Sequence, residues 1–379
     1  MIYLDNNATT KIDWRVYLKQ CKVLHNIYGN PSSFYSLGLV AKSMIEEARK
    51  QVATFINADL SSGDKIIFTS GATESNNAVF YSVMQPNTSN KHIVISSVEH
   101  SSVSVPANYY SSIGCSVTRV SVDSDGKLCE EQLFSAINEN TVLVSIMLVN
   151  SETGIIHNVE RFSRKIKSIN GGKILIHTDA VQAAGKIPID VKKLGIDALT
   201  ISGHKLHGPK GVGVLYIKSG VPFVPYIMGG SQEYCLRAGT ENIASIVAMG
   251  YAASISNNFL KTNSMKRIED LRDAMESKLA YLFPDSLIYG KNIPRIGNTT
   301  NIGFNGVIGH DLVLQLAQAG ICVSSGTACS YLRMEPSSVL IAMNAPEKYI
   351  RSIRISLSRE NTQGDIETLI KSLHNIVRK

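Results

Sequence analysis

The chain has 379 residues, 44% hydrophobic and 18% charged, with a formal net charge of +7. That length predicts a globular protein with a large core and two domains, and the scattered Lys and Arg, with no block of five or more like charges, argue against direct nucleic-acid binding. No apolar stretch is read as a membrane span and the start Met1-Ile2-Tyr3-Leu4-Asp5 lacks a basic region followed by an apolar core, so a cytoplasmic protein is expected.

Helical spacing is clear from residue 40, where Val40, Met44, Ile45, Ala48, Val52 and Phe55 recur at intervals of three and four and predict a helix over 40–55. Onwards to residue 250, short apolar runs at 66–69, 93–96, 117–122, 142–148, 174–178, 197–202 and 212–217 alternate with helical segments such as 159–169. Alternation of this kind predicts βα units and a doubly wound α/β domain around a mostly parallel seven-stranded sheet. After Thr240 the pattern changes to long helices at 243–259 and 265–282, then isolated strands at 300–304 and 353–357 with helices at 311–319 and 364–377. We expect a large domain over 14–250 and a smaller α+β domain over 1–13 and 251–379. Nothing repeats at a fixed period.

Lys205, in Ser202-Gly203-His204-Lys205, directly follows the strand 197–202, and Asp179 ends an earlier strand 26 residues upstream. That spacing suits a lysine Schiff base to pyridoxal phosphate (PLP) with a carboxylate on the pyridinium nitrogen. Gly71-Ala72-Thr73-Glu74 joins a strand to a helix, so its backbone N–H groups and the Thr73 hydroxyl suit a phosphate, although an ordinary capped turn reads the same way. In an α/β sheet, ligands bind beyond the carboxyl ends of the strands, where Thr73, Asp179, Ser202, His204 and Lys205 all fall. His100 and Asn150 also follow strands; the first could stack on a pyridine ring or be structural, the second could be turn chemistry. Arg354, within the predicted strand 353–357, could grip a carboxylate bidentately or face solvent.

The six cysteines, at 21, 115, 129, 235, 322 and 329, show no C-x-x-C pair, so neither zinc nor a disulfide framework is expected. Cys329 lies in the small-residue run Ser324-Ser325-Gly326-Thr327-Ala328-Cys329-Ser330, which reads as a loop presenting a reactive thiol. Cys322, in an apolar run, is expected to be buried and inert, and so are the other four.

Taken in order, Tyr3-Leu4-Asp5-Asn6-Asn7-Ala8-Thr9-Thr10, Gly29-Asn30-Pro31-Ser32-Ser33, Phe68-Thr69-Ser70-Gly71-Ala72-Thr73-Glu74-Ser75-Asn76, Val98-Glu99-His100 and Val149-Asn150-Ser151-Glu152-Thr153-Gly154 resemble the cysteine desulfurases of the NifS/IscS type. His177-Thr178-Asp179-Ala180-Val181-Gln182, Ser202-Gly203-His204-Lys205, Arg237-Ala238-Gly239-Thr240, the Cys329 loop and Ser352-Ile353-Arg354 extend that resemblance over nearly the whole chain. It implies the aspartate-aminotransferase fold, PLP as cofactor, L-cysteine as substrate and a homodimer. By the same resemblance, Lys205 is the Schiff-base lysine, Asp179 meets the ring nitrogen, Gln182 the ring oxygen, and His100 stacks on the ring. Thr73, Ser202 and His204 would cup the phosphate, with Thr240 reaching in from the second subunit. Asn150 and Arg354 would hold the substrate carboxylate, and Cys329 would take the sulfur as a persulfide for an acceptor protein.

Two departures stand out. Tyr35 replaces the histidine many relatives carry after Gly-Asn-Pro, and bulky residues Tyr331, Leu332, Arg333 and Met334 follow Cys329. The chain also ends at Lys379 without the longer tail with which housekeeping members dock the iron–sulfur scaffold, so a specialised acceptor such as DNA phosphorothioation machinery is expected ahead of iron–sulfur assembly or tRNA thiolation. The alternatives are a selenocysteine lyase or another aminotransferase-like PLP enzyme, neither of which needs Cys329, and a sulfur-carrier or scaffold subunit acting through its surface.

Overall fold

The computed structural model describes residues 1–326 and 337–377. Strand β1 (Ile2–Tyr3) leads into helices α1 (Trp14–Asn26) and α2 (Ser36–Ile56), the second turning its buried stripe Ile45, Ala48, Val52 and Phe55 to the core as the spacing predicts. Strands β2 (Lys65–Thr69), β3 (His92–Ser96), β4 (Ser116–Val120), β5 (Thr141–Ser145), β6 (Leu175–Asp179), β7 (Ala198–Ser202) and β8 (Gly213–Ile217) correspond to the seven predicted runs. They form one sheet in the order β2-β8-β7-β6-β5-β3-β4. Helices α3 (Ala72–Met84) and α4 (Ser101–Ser112) follow β2 and β3 directly.

The sheet is parallel from β4 through β7, but β8 runs antiparallel to both β7 and β2. The reason is connection length. Only residues 203–212 separate β7 from β8, too few for the crossover helix that a parallel return requires. In β3, β6, β7 and β8 every residue is buried, as expected of strands covered on both faces.

Helix Ile243–Lys261 corrects one expectation: its 19 residues are long and apolar enough to cross a membrane by length and composition. It packs instead against α1 and α2, and 56% of its most apolar window is buried inside the protein. Gly250 makes that approach close, since a Cβ there would stand 2.6 Å from Ala48 Cα.

Beyond it, helix Ser264–Leu282 precedes β9 (Ser286–Ile288) and β10 (Thr299–Phe304); helix Gly309–Gln318 precedes β11 (Ile321–Cys322), and β12 (Ile353–Ser356) precedes the final helix Gln363–Val377. Strand β10 is the centre of the three-stranded sheet β12-β10-β9, and β1 pairs in parallel with β11, stitching the N-terminus to the C-terminal part. Leu4 joins Ile268, Met275, Ile302, Leu316, Ile353 and Leu369 in a core separate from the one that packs under the large sheet.

The cysteine expectations hold only in part. Cys115 is buried, but Cys21 and Cys235 are exposed and Cys129 and Cys322 are partly so. Cys21 lies on the outer side of α1, where only Val16 and Val23 are buried, and Cys235 ends a run of three left-handed residues, Glu233 to Cys235.

Candidate functional site

The carboxyl ends of β2, β3, β6 and β7 open into a cavity of about 490 Å³, within the range of small-molecule sites. Its wall includes Thr73, His100, Asp179, Gln182, Ser202, His204, Lys205 and Arg354, eight of the residues singled out from the sequence.

Lys205 closes a single 3₁₀ turn, Gly203–Lys205, at the end of β7. The N-terminal arm straps this turn: Thr10 donates to the His204 carbonyl from both its amide and its hydroxyl, each at 2.9 Å, and the Asp13 amide donates to the His207 carbonyl at 3.0 Å. The strap brings two carbonyls to the lysine, whose Nζ donates to Asn7 O and, at 2.8 Å, to Ala8 O.

On the other side of the cavity, α3 starts at Ala72 with Gly71 as its N-cap, so the free N–H groups of its first turn face the opening. A Cβ at Gly71 would meet nothing within 4 Å and would project into that space, whereas one at Gly213 would stand 2.6 Å from Gly71 C. The turn is thus seated directly on the first residue of β8. Glu74 clamps it, accepting from Ser70 N at 2.8 Å and from Arg237 Nε at 2.9 Å. Ser202, His204 and Lys210 also line the cavity. Burial, then the charges of Lys205, Lys210 and Lys186, press His204 down to about 4, so its ring is neutral near pH 7. Its Nδ1 is 3.1 Å from Thr9 Oγ1.

Asp179, the last residue of β6, is buried and fully engaged: Oδ1 accepts from Val181 N at 3.0 Å and Oδ2 from Asn76 Nδ2 at 2.9 Å. The same Asn76 nitrogen lies 2.8 Å from Ser102 Oγ, itself 2.8 Å from His100 Nδ1. His100 is the N-cap of α4, its Nδ1 accepting from Ser102 N at 3.1 Å, so in the neutral ring Nε2 carries the proton. The structural and functional readings of His100 therefore coincide. Burial lowers its pKa. Beneath it, Glu99 is wholly buried; Oε1 accepts from Ser96 Oγ at 2.5 Å and Met147 N at 2.8 Å, Oε2 has no partner, and burial pushes the carboxyl up to about 8.

Arg354 is only 2% exposed, and β12 is buried on both faces rather than alternating. Its Nη2 donates to Asp5 Oδ1 at 2.7 Å and Nη1 to Ser151 O at 3.2 Å. Asn150 does not line the cavity; its Oδ1 accepts from the amides of Glu152 and Thr153 and from Thr153 Oγ1, and its Nδ2 donates to Val98 O, which is the turn chemistry weighed for it from the sequence. Thr240 is exposed and lines a separate cavity of about 200 Å³ with Ser70 and Gly211. Cys329 lies outside the described residues, and among the described residues no cluster of His, Cys, Asp or Glu could hold a metal.

Sequence reasoning assigned no role to Asn7, Ala8, Asn76, Ser102, Lys186 or Asp5. Asn76, one helical turn after Thr73 in α3, takes its meaning from Asp179, distant in sequence, and backbone carbonyls such as Asn7 O carry no sequence signal at all.

The chain belongs to the aminotransferase class-V family, whose pattern matches residues 2–369. It is 41% identical to cysteine desulfurase 2 of Trichormus variabilis over 380 aligned positions, covering 100% of this chain and 94% of that one. A solved NifS-like protein superposes with a TM-score of 0.91 at 36% identity, covering 100% of this chain and 99% of that one. A second solved structure, SspA in complex with cysteine, gives 0.81 at 29% identity, covering 96% and 100% respectively.

Proposed function

We propose that the protein is a PLP-dependent cysteine desulfurase that converts L-cysteine to L-alanine and hands the sulfur to an acceptor protein. The observation that carries the reading is the convergence in one cavity of a lysine amine, a buried carboxylate and a helix N-terminus. The donor set fits the cofactor: Lys205 offers the amine for its aldehyde, Asp179 the anion for its ring nitrogen and Gln182 a polar partner for its ring oxygen. The first turn of α3 with Thr73, Ser202 and His204 offers donors for its phosphate, and Gly71 leaves room for them to be reached. When bound, PLP supplies the electron sink that lets a substrate Cα–H bond break.

Each remaining role belongs to the chain. Lys205 Nζ would take the Cα proton, Arg354 would hold the substrate carboxylate, and neutral His100, with its proton on Nε2, would be available for proton transfer. Asn150 would meet the carboxylate only by exchanging bonds now made within its turn. The thiolate of Cys329 bonds to the substrate sulfur as the substrate Cβ–Sγ bond breaks, and the carbon fragment takes up a proton and leaves as alanine. One thiol and one cysteine give one persulfide and one alanine.

The same reading includes a cytoplasmic homodimer in which the exposed Thr240 enters the partner's site. It also includes a division into a large domain over 14–250 and a small one over 1–13 and 251–379 that carries the Cys329 loop. Tyr289, Ile296, Leu340 and Met343 pack into the large core, so the two would be firmly joined. For the acceptor, DNA phosphorothioation machinery, iron–sulfur assembly and tRNA thiolation are the three candidates; recovery of a specific protein by the persulfide form, against the form treated with reductant, selects among them.

The test is conversion of L-cysteine to alanine and sulfide by the PLP-loaded protein, lost on Cys329→Ala. Alanine release indifferent to Cys329 would overturn the mechanism in favour of a selenocysteine lyase or other aminotransferase-like chemistry; protein that never takes up PLP would leave a sulfur-carrier or scaffold role.

A further inference from the structure

Lys186 is a buried amine with no carboxylate in salt-bridge distance among the described residues, so holding it protonated carries a desolvation cost. It is 8% exposed, lies four residues past Gln182, and puts its Nζ 2.8 Å from Gln182 Oε1 and 3.2 Å from Gln182 O.

Lys186 Nζ donates to Gln182 Oε1, so the Gln182 amide turns its oxygen to Lys186. Its nitrogen is then aimed the other way, where Nε2 donates to Asn7 O at 2.9 Å, the same carbonyl that accepts from Lys205 Nζ. A continuous path results: Lys186 Nζ, the Gln182 amide, the Asn7 carbonyl, Lys205 Nζ. Asn7, Gln182 and Lys205 line the cavity, while Lys186 stands behind it.

We propose that Lys186 is a positioning residue: it locks Gln182 with the amide N–H towards the cavity, so that an anionic ring oxygen of the bound cofactor meets a donor and never the amide oxygen. The inference rests on the proposed PLP chemistry and names the residue that sets polarity at that oxygen. Without Lys186, the Gln182 amide keeps only its bond to Asn7 O and more readily rotates to present an acceptor. The charge also acts in the same sense as the donor, since a cation behind the amide favours the deprotonated oxygen. Burial, then the neighbouring Lys205 and Arg354, lowers Lys186 to about 7. His204 and His207 also feel its charge.

The test uses the PLP-loaded protein and reads the pH at which the absorbance of the bound cofactor changes, with no turnover involved. Removing donor and cation stabilises the protonated chromophore, so Lys186→Met is expected to raise that midpoint by about one unit, a tenfold change in proton affinity. Lys186→Gln, which removes the charge with a different shape, is expected to shift it the same way and carries the test if the Met variant does not fold. A folded, PLP-binding Lys186 variant whose midpoint equals that of wild type overturns the proposal, even if its thermal stability has fallen. Wild-type protein that fails to bind PLP would instead refute the proposed function itself, so the two failures are distinct.

Discussion

Asn76 Nδ2 donates to Asp179 Oδ2 at 2.9 Å, tying the first helix of the large sheet to the carboxylate at the end of β6. Because that amide also reaches Ser102 Oγ, which bonds His100, one side chain orients both the carboxylate and the imidazole. Hydrogen bonds to charged groups contribute about 1.5–3 kcal/mol, so Asn76→Ala is expected to lower kcat/KM roughly tenfold to a hundredfold. Steady-state alanine production checks this, and a value near wild type would show that Asp179 is held without it.

Lys205→Ala is expected to abolish both turnover and the absorbance of lysine-bound PLP. Among the described residues no other lysine combines a strand-end position with Asp179 and the α3 turn; Lys210 lines the same cavity but lies beyond the 3₁₀ turn. A Lys205 variant that kept that absorbance would disprove the assignment.

Asp179→Asn preserves size and one acceptor but removes the charge that keeps a ring nitrogen protonated. We expect retained PLP with a rate lower by about two orders of magnitude or more. Near-normal turnover in single-turnover kinetics with cysteine would refute the electron-sink role.

Cys329→Ser is expected to bind cysteine, seen as a shift of the cofactor band, without releasing sulfur, because a hydroxyl is no substitute for a soft, ionisable nucleophile. In wild type treated with cysteine, mass spectrometry should find extra sulfur on the Cys329 peptide. The exposure of Cys21 and Cys235 makes them the controls, and sulfur mapping to either instead would point to another acceptor thiol.

Glu99 gives a pH prediction. Its folded pKa, raised to about 8, lies above the ordinary value of 4.5, so its contribution to stability is complete below about 4.5 and is lost as pH rises towards 8. Glu99→Gln, which keeps an acceptor at Oε1 and carries no charge, is therefore expected to unfold at a higher temperature than wild type at pH 8 and at a similar one near pH 4.5. Thermal melts at the two pH values decide it; equal differences at both would show that Glu99 does not titrate in this range.

The parts of the fold set by local pattern were legible in the sequence: seven apolar runs became seven strands, and side chains at the carboxyl ends of β2, β3, β6 and β7 fell into one cavity. The direction of β8 was not, because an apolar strand carries no mark of polarity and only the short link 203–212 forbids a parallel return. Helix Ile243–Lys261 was read as a helix and not as a span; its Gly250 serves helix packing by letting Ala48 of α2 approach. At the site, Lys205 and Asp179 announced themselves by type and spacing. Asn76, Glu99 and Lys186 did not, since a polar residue inside a helix or loop has meaning only through a partner distant in sequence. Asn150 shows the converse, a strand-end side chain consumed by its own turn.

The contact between Gly213 and Gly71 leaves no room for even a methyl group between the start of β8 and the turn ahead of α3. Gly203 N donates to Val212 O at 3.0 Å beside the same strand end, so the lysine turn leans on β8 as well. Loosening that one strand end would expose both turns to solvent together, and the amides around Gly71 and Lys205 should then exchange hydrogen at a shared rate as a single opening unit, slowed in common by whatever fills the cavity between them.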